Sequence, residues 1–123
     1  MSTEARIQSE ILCELGTMPG VMLWRNSVGV AVPLSGDAPQ RFGVVGSADL
    51  LGSVTLRCGV AVPLAIEVKT PKGRVSSVQE RWLACMGAAG WIVMVARSKQ
   101  DALAQLAEGI AQAEQRVARG GAW

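Results

Sequence analysis

The sequence contains no histidine among its 123 residues. This absence excludes Ser-His-Asp and Cys-His nucleophilic machinery, histidine general bases, and zinc sites built on imidazole. The three cysteines, Cys13, Cys58 and Cys85, form no C-x-x-C pair. We expect them to be buried free thiols of a protein from a reducing compartment. Any catalysis must therefore use carboxylates, lysine and backbone groups, with or without a hard metal ion.

Strong net charge and long apolar runs are also missing. The formal net charge of +2 permits a nucleic-acid partner but does not argue for one. No uninterrupted apolar run approaches the length of a membrane span. The opening stretch MSTEARIQSE is polar and alternately charged, unlike a signal peptide. We therefore expect a soluble, cytoplasmic protein with no membrane partner.

Half of the residues are hydrophobic and 18% are charged, as in a globular protein, and the length predicts a single domain over residues 1–123. The hydrophobic pattern and turn residues predict three helices, five strands and one loop. We expect helices at 3–16, 76–89 and 98–118, strands at 21–25, 28–33, 48–56, 60–69 and 91–96, and a loop at 35–43. This order is typical of an α/β domain with one mixed central sheet flanked by helices.

Three local patterns refine this prediction. The hexapeptide GVAVPL occurs at 29–34 and again at 59–64. Two copies are too few for a solenoid, so we interpret them as two similar strands that end at proline. Two overlapping S-x-x-[QE] capping boxes within 76–80 predict the start of a helix. The run WIVMVA at 91–96 is apolar on both faces, which favours an interior strand.

The strand that contains LAIEVK, residues 64–69, has charges where a hydrophobic residue is expected. Because strand side chains alternate, Glu67 and Lys69 share one face with Ala65, opposite Ile66. Taken alone, this pattern fits a solvated strand end. If the strand that follows Asp49 is a neighbour, however, Asp49 lies beside Glu67. Two adjacent carboxylates repel each other unless a cation joins them, and an all-oxygen ligand set favours Mg²⁺ or Mn²⁺.

Glu4 is a further candidate for this cluster. It lies on the same helical stripe as Ile7, Ile11 and Leu15, so it either points inward and needs a partner or lies in a frayed terminal turn.

Several motifs occur in an order that resembles the VRR-NUC branch of the PD-(D/E)xK nuclease superfamily, over about residues 3–96. They are E-A-R-I-Q at 4–8, W-R-N-S at 24–27, G-x-x-G-x-x-D-L at 43–50, E-V-K at 67–69, a Lys-Gly turn, and S-x-x-Q at 76–79. Ala48 stands where many superfamily members have proline. The resemblance implies a restriction-endonuclease-like core and a metal-dependent endodeoxyribonuclease.

The resemblance also implies a role for each residue of the motifs. Asp49, Glu67 and the backbone carbonyl of Val68 would hold Mg²⁺ or Mn²⁺. Glu4 would bind the ion through water or a second metal. Lys69 would orient the attacking water or stabilise charge on the phosphate, and Gln79 would brace the site. These roles agree with the chemistry inferred from the residues themselves.

The substrate suggested by the sequence is DNA. Lys69, Lys72 and Arg74 lie within six residues beside the predicted site and could form a phosphate-attracting patch, although Lys72 and Arg74 also fit an ordinary solvated turn. Arg25 and Arg41 would extend this patch, and Asn26 belongs to the same family pattern. Two tryptophans, Trp24 and Trp82, could stack on bases, but core packing is favoured for both.

The leading hypothesis is therefore a structure-specific nuclease that resembles the Holliday-junction resolvases of DNA repair and recombination, from a bacterium or from a virus in its host cell. A symmetric junction needs two active sites, which a homodimer supplies. The apolar side of helix 98–118 or of helix 76–89 could form the interface, or could equally be core. Two alternatives remain open: a catalytically idle nucleic-acid-binding or assembly module, and a nuclease directed to flaps or ends.

Overall fold

A computed structural model describes residues 2–120; the terminal residues 121–123, part of a tail predicted to be loose, lie outside the described range. Nine elements follow one another within residues 2–120. They are α1 (Thr3–Gly16), β1 (Val21–Arg25), β2 (Gly29–Ala31), β3 (Gln40–Phe42), β4 (Leu50–Thr55), β5 (Ala61–Val68), α2 (Ser77–Ala88), β6 (Ile92–Ala96) and α3 (Lys99–Ala118). Among the described residues, no helix combines the length and apolar character needed to cross a membrane.

Four strands form a mixed central sheet in the order β1-β4-β5-β6. β1 pairs antiparallel with β4 and β4 pairs antiparallel with β5, while β6 runs parallel to β5. The parallel connection from β5 to β6 passes through α2, as the βαβ geometry requires. This is the predicted α/β fold, a mixed central sheet flanked by helices, and it is consistent with a restriction-endonuclease-like domain.

The main core lies between one face of the sheet and the helices α1 and α3. Ile7, Ile11 and Leu15 recur at helical spacing and bury the inner side of α1 against strand residues such as Leu50 and Ile66. α3 contributes a buried side as well. Its members in or against this core are Ala102, Leu103, Leu106, Ile110, Ala113 and Val117. Helix 98–118 is therefore a core helix.

A smaller cluster covers the opposite face of the sheet, where α2 packs. Ala65 and Leu83 are buried there, and Trp82 packs against them together with Trp91. The two indole rings meet edge to face, with centroids 5.8 Å apart and planes at 83°. The apolar side of helix 76–89 is thus also engaged in packing, as predicted for Trp82.

Serine side chains cap the start of each helix in the described part of the chain. The hydroxyl of Ser2 accepts from the N–H of Ala5, and that of Ser98 accepts from the N–H of Asp101. At α2, Ser76 and Gln79 form a complete capping box in which each side chain accepts from the other's backbone N–H. The first of the two predicted capping boxes is therefore the one that α2 uses.

The prediction of one single sheet was wrong for residues 28–43. Within the described chain, β2 pairs antiparallel with β3 and both lie outside the central sheet. The segment predicted as a loop at 35–43 contains β3, and the strand predicted at 28–33 is only three residues long. β3 reads QRF, so it lacks the alternation of apolar and polar residues that marks a half-buried strand.

Three further expectations were wrong. β6 lies at an edge of the sheet rather than in its interior; its apolar character comes from helices on both faces. The thiols of Cys13, Cys58 and Cys85 are exposed rather than buried. Trp24, predicted to pack in the core, is 51% exposed on the edge strand β1.

Candidate active site

The two central carboxylates meet where β4 begins and β5 ends. The antiparallel ladder pairs Leu50 with Ile66, and continuing this register by one residue places Asp49 opposite Glu67. Beyond Leu50 a side chain continues the contact between the two strands: Asp49 Oδ2 accepts a hydrogen bond from the backbone N–H of Val68 at 2.8 Å. The sequence prediction that these strands are neighbours and that the two acids lie side by side is confirmed.

The loop before Asp49 is fixed by Asn26 at the end of β1. The N–H of Asn26 donates to the Asp49 carbonyl oxygen at 2.8 Å. Its side-chain amide donates to Ser47 Oγ at 2.7 Å and to the Ala48 carbonyl oxygen at 2.9 Å. Asn26 therefore holds three successive residues in position. These bonds use the backbone N–H and the side-chain NH₂ group of Asn26. The predicted contact of Asn26 with DNA stays a prediction.

A glycine three residues before Asp49 completes this turn. Gly46 has φ +83°, in the left-handed region that favours glycine. A Cβ at this position would lie 2.5 Å from Cγ1 of Val78 in the first turn of α2. The G-x-x-D spacing therefore has a physical reason. At Gly46 the loop turns with positive φ and passes close to α2, three residues before Asp49.

Glu67 is a buried carboxylate without a partner. Its side chain is 1% exposed, and neither Oε1 nor Oε2 has a hydrogen-bond partner in the described part of the chain. Burial first, and then the Asp49 carboxyl beside it, together raise the pKa of this carboxyl from 4.5 to about 8. Lys69 lowers the pKa of Glu67, and Glu4 adds a smaller increase. Asp49, Lys69 and Glu4 are therefore all near enough to act on Glu67.

The donor set fits a hard divalent cation. An unpaired buried carboxylate is costly, and a cation between Glu67 and Asp49 would remove that cost. Because the N–H of Val68 points toward Asp49, its carbonyl leaves the strand on the same side. Within residues 2–120, no three His, Cys, Asp or Glu side chains lie close enough together to hold a metal ion. Glu4 is therefore near the pair but is not a third direct ligand in this arrangement.

The turn that follows Lys69 is held by Arg97, a residue that the sequence analysis missed. Arg97 Nη1 donates to the carbonyl oxygens of Thr70 at 2.7 Å and Gly73 at 2.6 Å. The N–H of Lys69 donates to the carbonyl of Ala96, just before Arg97, at 3.0 Å. The end of β6 thus fixes both Lys69 and the turn beyond it. An arginine after an apolar strand has no distinctive spacing, so no sequence signal marked it.

The remaining predicted residues are more dispersed. Gln79 Oε1 accepts from the N–H of Ser76 in the capping box of α2. The predicted role of Gln79 in bracing the active site would therefore use the rest of its side chain. Arg25 Nη2 donates to Ser9 Oγ of α1 at 2.9 Å. Arg41 lies on β3, in the separate two-stranded sheet. Lys72 and Arg74 are exposed beyond Lys69, as a phosphate-contacting patch requires. The role of these four cations toward DNA stays a prediction.

A mixed sheet that carries an aspartate at the end of one strand and E-x-K at the end of its neighbour defines the PD-(D/E)xK class of nuclease domains. The family model of the VRR-NUC domain matches residues 14–100, more than two-thirds of the chain, and the chain belongs to this family. The matched segment includes Asp49, Glu67, Lys69 and Gln79, whereas Glu4 lies before it. No curated protein and no solved structure matches the chain.

Proposed function

We propose that this nuclease-family protein hydrolyses DNA phosphodiester bonds in the presence of Mg²⁺ or Mn²⁺ and acts on branched DNA such as a four-way junction. The single observation that carries the proposal is the buried, unpartnered carboxylate of Glu67 beside Asp49. A purely structural domain would gain stability by replacing such a group with an apolar side chain. Its presence is explained if the pair binds a cation during function.

Asp49, Glu67 and the Val68 carbonyl would hold the ion, with Glu4 reaching it through water. Such an ion supplies Lewis-acid polarisation of the scissile phosphate and lowers the pKa of an attacking water. Lys69 lies beside the acids and orients the water or stabilises the negative charge that develops on the phosphate. Arg97 keeps Lys69 and the following turn in place through its bonds to Thr70 and Gly73.

Backbone and shape recognition is favoured for the DNA. Lys69, Lys72 and Arg74 provide a cationic approach to the acids, and Arg25 and Arg41 extend it. The exposed Trp24 pairs with Leu51 in the register next to the site, so its indole is available to stack on an unpaired base at a branch point. Symmetric cutting of a junction needs two active sites, so the proposal includes a homodimer.

The test compares cleavage of labelled junction, flap, nicked and linear duplexes with Mg²⁺, Mn²⁺ or a chelator. We expect cutting of the junction by the wild type to stop with the chelator. Glu67→Gln should lower the cleavage rate by at least about 100-fold, because it removes the charge that binds the ion. Calorimetric titration with Mn²⁺ should show a parallel loss of metal affinity in Glu67→Gln.

Asp37→Asn is the matched control, because Asp37 is an exposed acid outside the site and its removal should leave the rate unchanged. Equal junction binding by wild type and Glu67→Gln, with no cutting by either, would contradict the proposal and favour a catalytically idle binding module. Preferred cutting of flaps or linear ends would keep the chemistry and replace the junction as substrate.

A further inference from the structure

Two exposed apolar side chains of β1, Met22 and Trp24, share one face of the central sheet and are called the platform below. Met22 is 65% exposed and Trp24 is 51% exposed. Because strand side chains alternate, both point away from the face on which Val21 is buried. Within residues 2–120, neither belongs to a hydrophobic cluster. Tryptophan and methionine are both enriched on surfaces where a partner binds, so the platform is a candidate binding surface.

The platform lies on the same face of the sheet as the two acids. Trp24 is the cross-strand partner of Leu51, and Asp49, two residues from Leu51, shares its face. The N–H of Asn26 donates to the Asp49 carbonyl oxygen, so the pairing of β1 with this segment continues as far as the acid. One strand spacing and two residues separate the Cα atoms of Trp24 and Asp49, which is roughly 8 Å. The platform therefore borders the candidate active site.

Burial on this face decreases from β5 to β1. In the row of cross-strand partners that contains Trp24, Ala65 on β5 is fully buried beside Leu83 of α2. Leu51 on β4 is partly buried, and Trp24 on β1 is half-exposed. Helix α2 packs against β6, at the opposite edge of the sheet. The half of this face that β1 and β4 form is therefore accessible to a ligand next to the acids.

The cations of the site lie on the other side of the acid pair. In the sheet order β1-β4-β5-β6, the platform is on the side of β1. Lys69, Lys72 and Arg74 follow β5, and the N–H of Lys69 donates to the carbonyl oxygen of Ala96 at the end of β6. The acids therefore lie between a cationic turn, which suits phosphates, and an uncharged platform.

The uncharged side of the site suits a nucleotide base. Met22 and Trp24 offer a thioether and an indole, neither of which neutralises a phosphate. Arg25, the next residue of β1, points to the opposite face, where its Nη2 donates to Ser9 Oγ of α1. An indole does stack on the flat face of a base. In a paired duplex the neighbouring bases cover these faces, so the base must be unpaired.

We propose that the platform stacks on an unpaired base of the DNA strand whose phosphate lies at the acid pair. The substrate class is then DNA that has an unpaired base beside the cut, as flaps, gaps and opened branch points do. Stacking accepts any of the four bases, so the platform confers preference for structure and not for sequence. This inference rests on the proposed function for DNA as the substrate, and it adds the feature of the DNA that is recognised.

The test measures binding of labelled DNA by fluorescence anisotropy with a chelator present, so that no strand is cut. The two DNAs are a fully paired duplex and the same duplex with a short single-stranded gap that contains 2-aminopurine. We expect the wild type to bind the gapped DNA at least about fivefold more tightly, which is the contribution of one stacked base. The fluorescence of 2-aminopurine should fall on binding, because stacking on the indole quenches it.

Two substitutions of Trp24 separate stacking from simple apolar contact. Trp24→Phe keeps an aromatic face, so it should retain most of the preference for gapped DNA and most of the quenching. Trp24→Leu keeps apolar surface without an aromatic face, so it should lose the preference and the quenching. The affinity of Trp24→Leu for the paired duplex should stay unchanged. Both variants keep an apolar side chain at a half-exposed strand position, and circular dichroism would check that they fold.

Val60→Ala is the control, because Val60 is a 39% exposed apolar residue just before β5, at the end of this strand opposite to Glu67. It should keep the wild-type preference. The proposal is overturned if the wild type binds both DNAs equally, if Trp24→Leu keeps the preference, or if Trp24→Leu weakens binding to both DNAs alike. It is also overturned if Trp24→Leu changes only the mass of the protein in light scattering, since a second copy would then cover the platform.

Binding without cutting keeps this outcome apart from the fate of the proposed function. A preference that depends on Trp24, in a protein that cuts no DNA with Mn²⁺, would overturn the nuclease proposal alone. Cutting of gapped DNA with equal kcat/KM by wild type and Trp24→Leu would overturn the platform alone. If both proposals hold, Trp24→Leu should raise KM for gapped DNA at least about fivefold and leave kcat within about twofold, because stacking holds the DNA equally before and during the reaction.

Discussion

The two copies of GVAVPL have identical sequences and opposite environments. In the copy at 29–34, Val32 is 70% exposed and Leu34 is fully exposed, both just after β2. In the copy at 59–64, Val62 is 1% exposed and Leu64 is fully buried in β5. A hexapeptide with strong strand propensity therefore does not fix its own burial. Its burial depends on the strands and helices that the rest of the chain places around it.

The flanking sequences explain the difference. The second copy continues into AIEV, so β5 is eight residues long and lies between β4 and β6. Its Pro63 is tolerated because the pairing with β6 begins only at Leu64, which leaves the proline without a neighbour on that side. The first copy is followed by the turn-rich SGDAPQ, its strand ends at Ala31, and only the short β3 pairs with it.

The largest expected effect contrasts the two leucines of the hexapeptides. Leu64→Ala should lower the free energy of unfolding by about 2–5 kcal/mol, because it leaves a cavity in the main core. Leu34→Ala should change it by less than about 0.5 kcal/mol, as at other exposed positions. Urea unfolding of both variants and the wild type measures the difference.

This measurement is made at two protein concentrations, because any association of folded chains would make the free energy of unfolding depend on concentration. A loss at Leu34 that grows with concentration would report burial of this leucine by a second copy. A loss at Leu34 as large as that at Leu64, at both concentrations, would contradict the exposure of Leu34.

Each hexapeptide is followed, three positions after its leucine, by an acid, and these two acids also differ. Asp37 is exposed, whereas Glu67 is buried with a pKa of about 8 instead of 4.5. In metal-free protein, the folded chain keeps the Glu67 proton between these two values while the unfolded chain releases it. The free energy of unfolding should therefore fall as pH rises from about 4.5 to about 8, by at most about 1.4 kcal/mol per pH unit.

Urea unfolding at a series of pH values, with a chelator present, measures this fall. Glu67→Gln should remove it, because the amide does not titrate, and Asp37→Asn should leave it in place. A wild-type stability that rises over the same range, or a profile that Glu67→Gln does not alter, would contradict the environment described for Glu67.

The sequence was informative where local rules determine the outcome. Strand alternation separates Glu67 from Ile66, and the order of two adjacent strands places Asp49 beside Glu67. The capping box at Ser76 depends on hydrogen bonds over three residues, which the sequence reveals directly. These features define the central part of the site, and all of them were predicted.

The missed features depend on contacts between distant segments. Asn26 reaches Ser47 and Ala48, more than 20 residues away, and Arg97 reaches Thr70 across 27 residues. The separate two-stranded sheet of β2 and β3 was missed for the same reason. The first GVAVPL has the pattern of a buried strand, but no strand of the central sheet pairs with it. Trp24 is exposed because it lies on the edge strand β1, outside the smaller cluster that α2 covers.

The smallest expected effect comes from the valines that precede each proline. Threonine matches valine in shape and in strand propensity, so Val62→Thr and Val32→Thr change polarity without opening a cavity. Val62→Thr should cost about 1–3 kcal/mol in urea unfolding, because its hydroxyl enters the main core, while Val32→Thr should cost less than about 0.5 kcal/mol. Equal costs at low protein concentration would mean that both copies lie in a core. A cost at Val32 that appears only at high concentration would instead mean that a second copy of the chain covers this valine.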